Sequence, residues 1–253
     1  MRTSKWFSHY QYNDEAEYNL FCFVHAGGSS GYYSNWKKYF DKNFNIIPVE
    51  YPMRERRFAE PMPETIRELA EDLVEENRDF FTDKKFAFWG HCTGGLVALE
   101  TAEYLEKKYS VSPDFLFISS LAAPEFSQVP DVSGMSDRTF ADFAVKSGFV
   151  AKELCENEEL LQYFLPIARA DFAMHHNYIH ESGVKVNAPV ILFNGKEDSI
   201  QMSEEQIEAW ENYTHKPVKE HYFSGNHFYI NEHLPEVCEI LKNYLRQGAE
   251  NLE

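Results

Sequence analysis

Cysteine is scarce in this chain of 253 residues, and the four cysteines that are present lie far apart. Cys22, Cys92, Cys155 and Cys238 form no CxxC pair, so the sequence shows no sign of a zinc site or of a redox-active dithiol. Unpaired thiols are typical of proteins in a reducing compartment. We therefore expect a cytoplasmic protein without a bound metal or cofactor.

Long apolar runs and positive charge are scarce as well. There is no stretch of about 18 apolar residues, and residues 1–12 lack the apolar core of a signal peptide. The 24 basic residues face 41 acidic ones, which gives a net charge of −17. A charge of this sign repels nucleic-acid phosphates and anionic membranes, and no cluster of Lys and Arg offsets it. We therefore expect neither a nucleic-acid nor a membrane partner.

The hydrophobic residues, 43% of the chain, follow the pattern of an α/β protein. Short apolar runs typical of strands buried on both faces alternate with amphipathic helical segments. This alternation predicts βαβ units and a mostly parallel sheet flanked by helices. The length fits one domain over residues 1–253, although length alone also permits two, and we expect a monomer. The clearest segments are strands at residues 20–24, 86–89, 115–118 and 190–193, and helices at residues 66–74 and 237–245, the last with Pro235 in its first turn. Residues 44–49 are a weaker strand candidate, because Pro48 interrupts them.

Residues 122–188 interrupt this alternation, because they contain helical patterns but no clear strand. Phe140 and Phe143 lie on one such pattern, and Phe164 lies on a second that Pro166 is expected to kink. Insertions of this size commonly cover a binding site, so we interpret residues 122–188 as a helical lid. The alternative is that the segment only adds to the core.

The strongest motif is Gly-His-Cys-Thr-Gly-Gly at residues 90–95, between a strand candidate and a helical segment. This is the context of a nucleophile elbow, a sharp turn in which the residues two positions from the nucleophile must lack bulk. Gly90 and Gly94 meet that requirement. Backbone N–H groups at a helix start favour a thiolate, which points to Cys92 as a nucleophile. The alternative is a glycine-rich turn around a buried, inert cysteine.

Such a nucleophile requires a base, and the base requires an acid that orients it. In the α/β-hydrolase fold the three follow along the chain in the order nucleophile, acid, histidine. Asp198 stands in a polar turn after the strand candidate at residues 190–193, and His227 stands in a loop after a strand candidate that ends at Phe223. Open α/β sheets place their chemistry at such strand ends. The hypothesis is a triad of Cys92, Asp198 and His227.

Other residues compete for these roles. Glu197, next to Asp198, is the alternative acid. His221 and His233 are alternative bases, although neither follows a glycine in a loop. A further group of histidines has a spacing that can hold a metal, but it lacks a third ligand, and we favour a solvated or packed helix. This group consists of His175, His176 and His180.

The loop after the first strand candidate has the sequence His-Ala-Gly-Gly-Ser-Ser at residues 25–30. It matches the loop that carries one of the two oxyanion-hole donors in lipases and esterases. We predict that the backbone N–H groups of Ala26 and of Thr93, the residue after the nucleophile, stabilise the negative oxygen of a tetrahedral intermediate. Taken alone, the segment would indicate only a glycine turn.

Together these motifs resemble the type II thioesterases of nonribosomal peptide and polyketide assembly lines. The resemblance extends over nearly the whole chain and is carried by residues 20–28, 51–58, 90–95, 169–172 and 225–228, with Tyr33 and Trp36. It implies an α/β-hydrolase enzyme that hydrolyses acyl thioesters on the phosphopantetheine arm of an acyl or peptidyl carrier protein. It also implies that the lid gates an acyl pocket, which we expect to be lined by Phe140, Phe143, Phe164 and Phe172.

The sequence departs from this family at Val24, where proline is usual, and at Cys92, where serine is usual. Acyl transfer from pantetheine sulfur to a cysteine sulfur is nearly balanced in free energy, whereas transfer to a serine oxygen is downhill. A cysteine acyl-enzyme is also comparatively reactive toward amines and thiols. An acyltransferase or cyclase is therefore an alternative function. A dienelactone-hydrolase-like enzyme and an inactive binding partner are more distant ones.

Docking of a carrier protein requires a basic or apolar patch, because carrier proteins are commonly acidic. Arg54, Arg56 and Arg57 are the candidates for such a patch. A solvated loop is the alternative interpretation of these three arginines, and it is the one we favour.

Overall fold

A six-stranded parallel sheet forms the centre of the computed structural model, which describes residues 3–7, 12–146, 158–198, 203–249 and 252. The strand order is β2-β1-β3-β4-β5-β6, and every neighbouring pair is parallel. The predicted mostly parallel sheet is therefore confirmed. The strands are β1 (Tyr18–Phe23), β2 (Phe44–Pro48), β3 (Lys85–His91), β4 (Leu116–Ser119), β5 (Val190–Gly195) and β6 (Val218–Phe223).

The sheet is buried on both faces because helices pack against it, which explains the continuous apolar runs of its central strands. All residues of β1 and β4 are buried. Pro48 weakened the sequence-based prediction of β2. The strand forms because β2 lies at the sheet edge, where a residue without an N–H group is tolerated.

The helices begin and end with recognisable local signals. Thr65 caps α1 by accepting the N–H of Glu68, whose carboxylate in turn accepts the N–H of Thr65. The last helix differs from the prediction, because it begins at Ile230 and Pro235 lies inside it rather than in its first turn. The helices are α1 (Ile66–Asn77), α2 (Thr93–Tyr109), α3 (Asp137–Lys146), α4 (Glu158–His176), α5 (Glu204–Glu208) and α6 (Ile230–Gln247).

The segment between β4 and β5 contains α3 and α4 and, among its described residues, no strand longer than the single bridge of Val186 to Thr214. Pro166 lies inside α4, on its exposed side. Residues of both helices form an apolar cluster apart from the main core, and this cluster includes Ala26 and Cys92. Residues 147–157 of the lid and Cys155 lie outside the described residues. No helix in the described part of the chain is long and apolar enough to cross a membrane.

The approach of α2 to the end of β1 generates a prediction about Gly94. A Cβ at this position would overlap the backbone of Phe23 and Val24, whereas a Cβ at Gly134 would meet nothing within 4 Å. Gly94→Ala should therefore lower the free energy of unfolding by about 1–3 kcal/mol, the range of overpacked sites. Gly134→Ala should change it by less than about 0.5 kcal/mol. Denaturant titrations of both variants measure the difference, and equal midpoints would contradict the packing described here.

Candidate active site

Cys92 lies at the single residue that joins β3 to α2. Its backbone has φ 54° and ψ −129°, a conformation that residues other than glycine rarely adopt. The turn is held by the N–H of Cys92, which donates to the Ser119 carbonyl at 2.8 Å, and by the N–H of Gly95, which donates to the Cys92 carbonyl at 2.8 Å. A Cβ at Gly90 would overlap the backbone of Gly94. This is the geometry of a nucleophile elbow.

His227 and Asp198 meet beside this elbow. Nδ1 of His227 lies 2.9 Å from Oδ2 of Asp198, and both side chains are buried. Cys92 lies close enough to His227 for its charge to raise the pKa of the imidazole. The loop that carries His227 is fixed by Ser120, whose hydroxyl donates to the His227 carbonyl at 3.0 Å. The structure thus brings together the three residues of the predicted triad, and their catalytic roles stay predictions.

The alternative acid and bases have other partners. The Glu197 carboxylate accepts the N–H of Gly225 instead of contacting His227. His221 pairs with Tyr244, at 2.9 Å. His233 pairs with Ser224 at 2.9 Å and with Glu236 at 3.3 Å. Glu197 therefore orients the loop that carries His227, whereas Asp198 contacts the imidazole itself.

The protonation of His227 differs from that of the two histidines packed beside it. Burial lowers the pKa of His227, but the charge of Cys92 and the hydrogen bond to Asp198 outweigh burial and raise this pKa to about 10. Burial, together with the charge of His227, lowers the pKa of His25 to about 3 and the pKa of His91 well below its ordinary value. A proton in this cluster is therefore held on His227, the residue that contacts the thiol.

The loop expected to form the oxyanion hole is bound to α4. Gly27 donates its N–H to Oδ2 of Asp171 on α4 at 2.7 Å. Arg54 binds both oxygens of that carboxylate, at 3.0 Å and 2.7 Å, and also donates to the Gly28 carbonyl at 2.7 Å. Both charged side chains are almost fully buried. Asp171 belongs to the Arg-Ala-Asp-Phe motif of the family resemblance, but sequence reasoning gave it no role.

The two predicted oxyanion donors are Ala26, which shares an apolar cluster with Cys92, and Thr93, which follows Cys92 in the chain. Ala26 directly precedes Gly27 and belongs to the apolar cluster that contains Cys92. Thr93 is the first residue of α2, so its N–H has no acceptor within the helix. Both positions suit a donor to a negatively charged oxygen at the thiol, and this role stays a prediction.

The interpretation of Arg54, Arg56 and Arg57 as a solvated loop is wrong for two of the three. Arg54 and Arg57 are buried, and only Arg56 is exposed. The guanidinium of Arg57 lies 3.8 Å from the centre of the Trp6 ring and donates to the Glu50 carbonyl at 2.9 Å. Because Arg54 and Arg57 are buried, they also cannot form the alternative that the sequence allowed, which is a basic patch for docking a carrier protein.

A cavity of about 430 Å³ opens beside Cys92 and is lined in part by residues of α3 and α4. Two of the four predicted aromatic residues, Phe143 and Phe172, line it. Phe140 is fully buried and packs against Phe172 with ring centroids 5.6 Å apart, and Phe164 packs over Gly27. Phe140 and Phe164 are therefore not among the residues that line this cavity, and the acyl-binding role of all four aromatic residues stays a prediction. The lining residues are Cys92, Ser120, Leu121, Ala122, Phe126, Ser127, Gln128, Val129, Pro130, Phe143, Lys146, Phe172 and His175.

The histidines considered as a metal site point to different partners. His175 contacts Thr93, His176 contacts the Val129 carbonyl and His180 contacts Glu103. Within the described ranges, no group of three or more His, Cys, Asp or Glu side chains is close enough to hold a metal ion. The one of these histidines that lines the cavity is His175.

The buried ion pair between Arg54 and Asp171 generates a prediction about the lid. Arg54→Met leaves a buried carboxylate without its cation, which should lower the free energy of unfolding by about 3–5 kcal/mol. The control is Arg138→Met, because the ion pair of Arg138 with Asp142 on α3 is highly exposed and should contribute less than about 0.5 kcal/mol. Thermal and denaturant unfolding compare the two, and a similar loss in both variants would contradict the proposed importance of the buried pair.

Comparison with known proteins adds to this geometry. The family described as Thioesterase domain matches residues 18–245. Thioesterase PikA5 of Streptomyces venezuelae is 32% identical over 226 residues, which cover 89% of this chain and 80% of that protein. The medium-chain S-acyl fatty acid synthase thioesterase of Rattus norvegicus is 30% identical over 243 residues, which cover 94% of this chain and 90% of that protein.

Solved structures agree with the sequence relatives. The structure of the type II thioesterase BorB from the borrelidin biosynthetic cluster superposes with a TM-score of 0.86 at 27% identity. The match covers 96% of this chain and 98% of that one. The α/β-hydrolase fold expected from the motifs is therefore confirmed.

Proposed function

Because this chain belongs to the thioesterase family, we propose that it hydrolyses acyl thioesters on the phosphopantetheine arm of an acyl or peptidyl carrier protein. Cys92 is the nucleophile in this proposal, His227 is the general base and Asp198 orients the imidazole. The observation that carries the proposal is the buried hydrogen bond of His227 with Asp198, next to Cys92 in the nucleophile elbow and beside a cavity of about 430 Å³.

The reaction proceeds through an acyl-enzyme. His227 accepts the proton of the Cys92 thiol, and the sulfur attacks the thioester carbonyl. The N–H groups of Ala26 and Thr93 stabilise the negative oxygen that forms. The tetrahedral intermediate collapses with release of the pantetheine thiolate, which takes the proton held by His227. Water then attacks the acyl-enzyme while His227 accepts its proton, and the free acid leaves with Cys92 restored.

The relatives support a substrate delivered by a biosynthetic assembly. BorB is a type II thioesterase of a borrelidin biosynthetic cluster, and the rat relative is a thioesterase of fatty acid synthase. A role in editing or in release of acyl groups during natural-product biosynthesis fits such a substrate. The cavity beside Cys92, lined by Phe143 and Phe172, provides the apolar surface that an acyl chain requires.

Acyl transfer to an acceptor other than water is the second candidate function, and the observation that favours it is the thiol itself. An acyl group on Cys92 remains a thioester, so it keeps the reactivity toward amines and thiols that an ester on serine lacks. The two functions share every step up to the acyl-enzyme. They differ only in the molecule that attacks it.

Incubation of the protein with an acyl-pantetheine, followed by mass spectrometry, tests the proposal. The wild-type protein should release free acid, and Cys92→Ala should reduce the rate by about 1,000-fold or more, because the acyl-enzyme cannot form. The matched control is Cys238→Ala, since Cys238 is a buried thiol of α6 in the main core and should be dispensable for turnover.

Each result of this assay has a defined meaning. More than a few per cent of residual activity in Cys92→Ala would remove Cys92 from the role of nucleophile. An amide or ester product in the presence of an amine or alcohol would identify a transferase. The absence of both turnover and an acyl adduct on the wild-type protein would identify an inactive scaffold.

A second pair of variants tests the assignment of the acid. Asp198→Asn should lower kcat by up to about 10,000-fold, because the amide no longer holds the imidazole in the productive tautomer. Glu197→Gln should lower kcat by less than about tenfold, since this side chain contacts the Gly225 N–H and not the imidazole. Steady-state kinetics on one acyl-pantetheine rank the two variants, and the reverse order would make Glu197 the acid.

A further inference from the structure

His175 is a buried polar side chain in the wall of the cavity beside Cys92. It lies near the end of α4, is 4% exposed and lines the same cavity as the thiol. Its Nδ1 lies 2.9 Å from Oγ1 of Thr93. Its Nε2 has no hydrogen-bond partner among the described residues. One polar atom of the cavity wall is therefore left for a ligand to pair with.

The imidazole lies one hydroxyl group away from the reacting sulfur. Oγ1 of Thr93, which contacts His175, lies 3.9 Å from Sγ of Cys92. In an acyl-enzyme the carbonyl carbon is bonded to that sulfur, and the β carbon follows two bonds later. Because the sulfur and the imidazole both contact the Thr93 hydroxyl, we expect a substituent on the β carbon to lie near His175.

His175 is uncharged at neutral pH, which decides what it can bind. Burial lowers the pKa of His175 to about 4, although the Ser127 backbone carbonyl acts in the opposite direction. A neutral imidazole has one N–H donor and one lone-pair acceptor, and the contact with Thr93 uses either of them. If Nδ1 donates its proton to Thr93, Nε2 is an acceptor. If Nδ1 accepts a hydrogen bond from Thr93, Nε2 is a donor. A hydroxyl group pairs with both forms, whereas an alkyl chain pairs with neither.

The apolar surroundings of His175 increase the difference in binding between a hydroxylated and a saturated acyl chain. Several side chains that share the cavity with it are apolar, including Leu121, Val129, Phe143 and Phe172. Nε2 is already shielded from water and unpaired in the described part of the structure, which is unfavourable, and a saturated acyl chain leaves it so. A chain with a hydroxyl group in reach removes that cost.

We propose that His175 is a specificity-determining residue that selects β-hydroxyacyl groups over saturated acyl groups of the same length. The inference rests on the proposed thioesterase function and names its substrate class. It requires no role for His175 in the acyl transfer itself. The hydrogen bond contributes to binding and orientation of the acyl group.

The test compares kcat/KM for β-hydroxyoctanoyl-pantetheine with that for octanoyl-pantetheine. The wild-type protein should prefer the hydroxylated substrate by about tenfold, the upper range for one neutral hydrogen bond. His175→Leu should bring the ratio to about 1, and His175→Gln should restore part of it, because an amide again offers a donor and an acceptor. The control is Phe172→Leu, which alters the apolar wall and should change both substrates by a similar factor.

The inference is overturned if the wild-type protein hydrolyses both substrates equally, or if the preference persists in His175→Leu. Failure of the proposed function has a different signature, which is hydrolysis of neither substrate. In that case calorimetry on Cys92→Ala with the amide analogues of the two acyl-pantetheines decides. About tenfold tighter binding of the hydroxylated analogue supports the inference, and equal binding overturns it.

Discussion

The site depends on the strained turn at Cys92, where a strand becomes a helix within one residue. Backbone conformations of this kind cost on the order of 1–3 kcal/mol and persist only where the surroundings fix them. Here the fixing groups are the Ser119 carbonyl, which accepts the Cys92 N–H, and the glycines at residues 90 and 94, which let β1, β3 and α2 approach closely. The strained turn directs the thiol toward the N-terminus of α2 and toward the carboxyl ends of the strands, where the loops after β5 and β6 lie.

Two kinds of contact complete the arrangement around this turn. The parallel sheet brings the loops after β5 and β6 to the same edge, so Asp198 and His227 meet although 28 residues separate them. The ion pair of Arg54 with Asp171 then ties α4 to the backbone of Gly27, next to the predicted oxyanion donor Ala26. A buried pair of this kind adds little net stability but is strongly directional. A shift of α4 therefore moves the oxyanion loop and the cavity wall together.

The sheet and the elbow were predictable because their signals are local. A strand buried on both faces is a continuous apolar run, and the turn at Cys92 requires glycines at fixed distances. The burial of Arg54 was not predictable, because its partner Asp171 lies 117 residues away and no local pattern marks such a pair. The sequence predicted Phe140 and Phe164 in the pocket because helical spacing shows which residues share one face of a helix. Helical spacing does not show whether that face lines the pocket or packs against another apolar part of the protein.

The presence of a thiol changes which part of the protein controls the outcome of the reaction. With serine, loading of the enzyme is downhill and the ester that forms resists amines and thiols. With Cys92, loading is nearly balanced, so the acyl group can return to pantetheine unless an acceptor captures it. The raised pKa of His227 keeps a proton available for the departing thiol, and the transfer of that proton leaves His227 in the neutral form that activates water. Commitment to hydrolysis then depends on how well the cavity holds the acyl group and on which acceptor it admits beside His227.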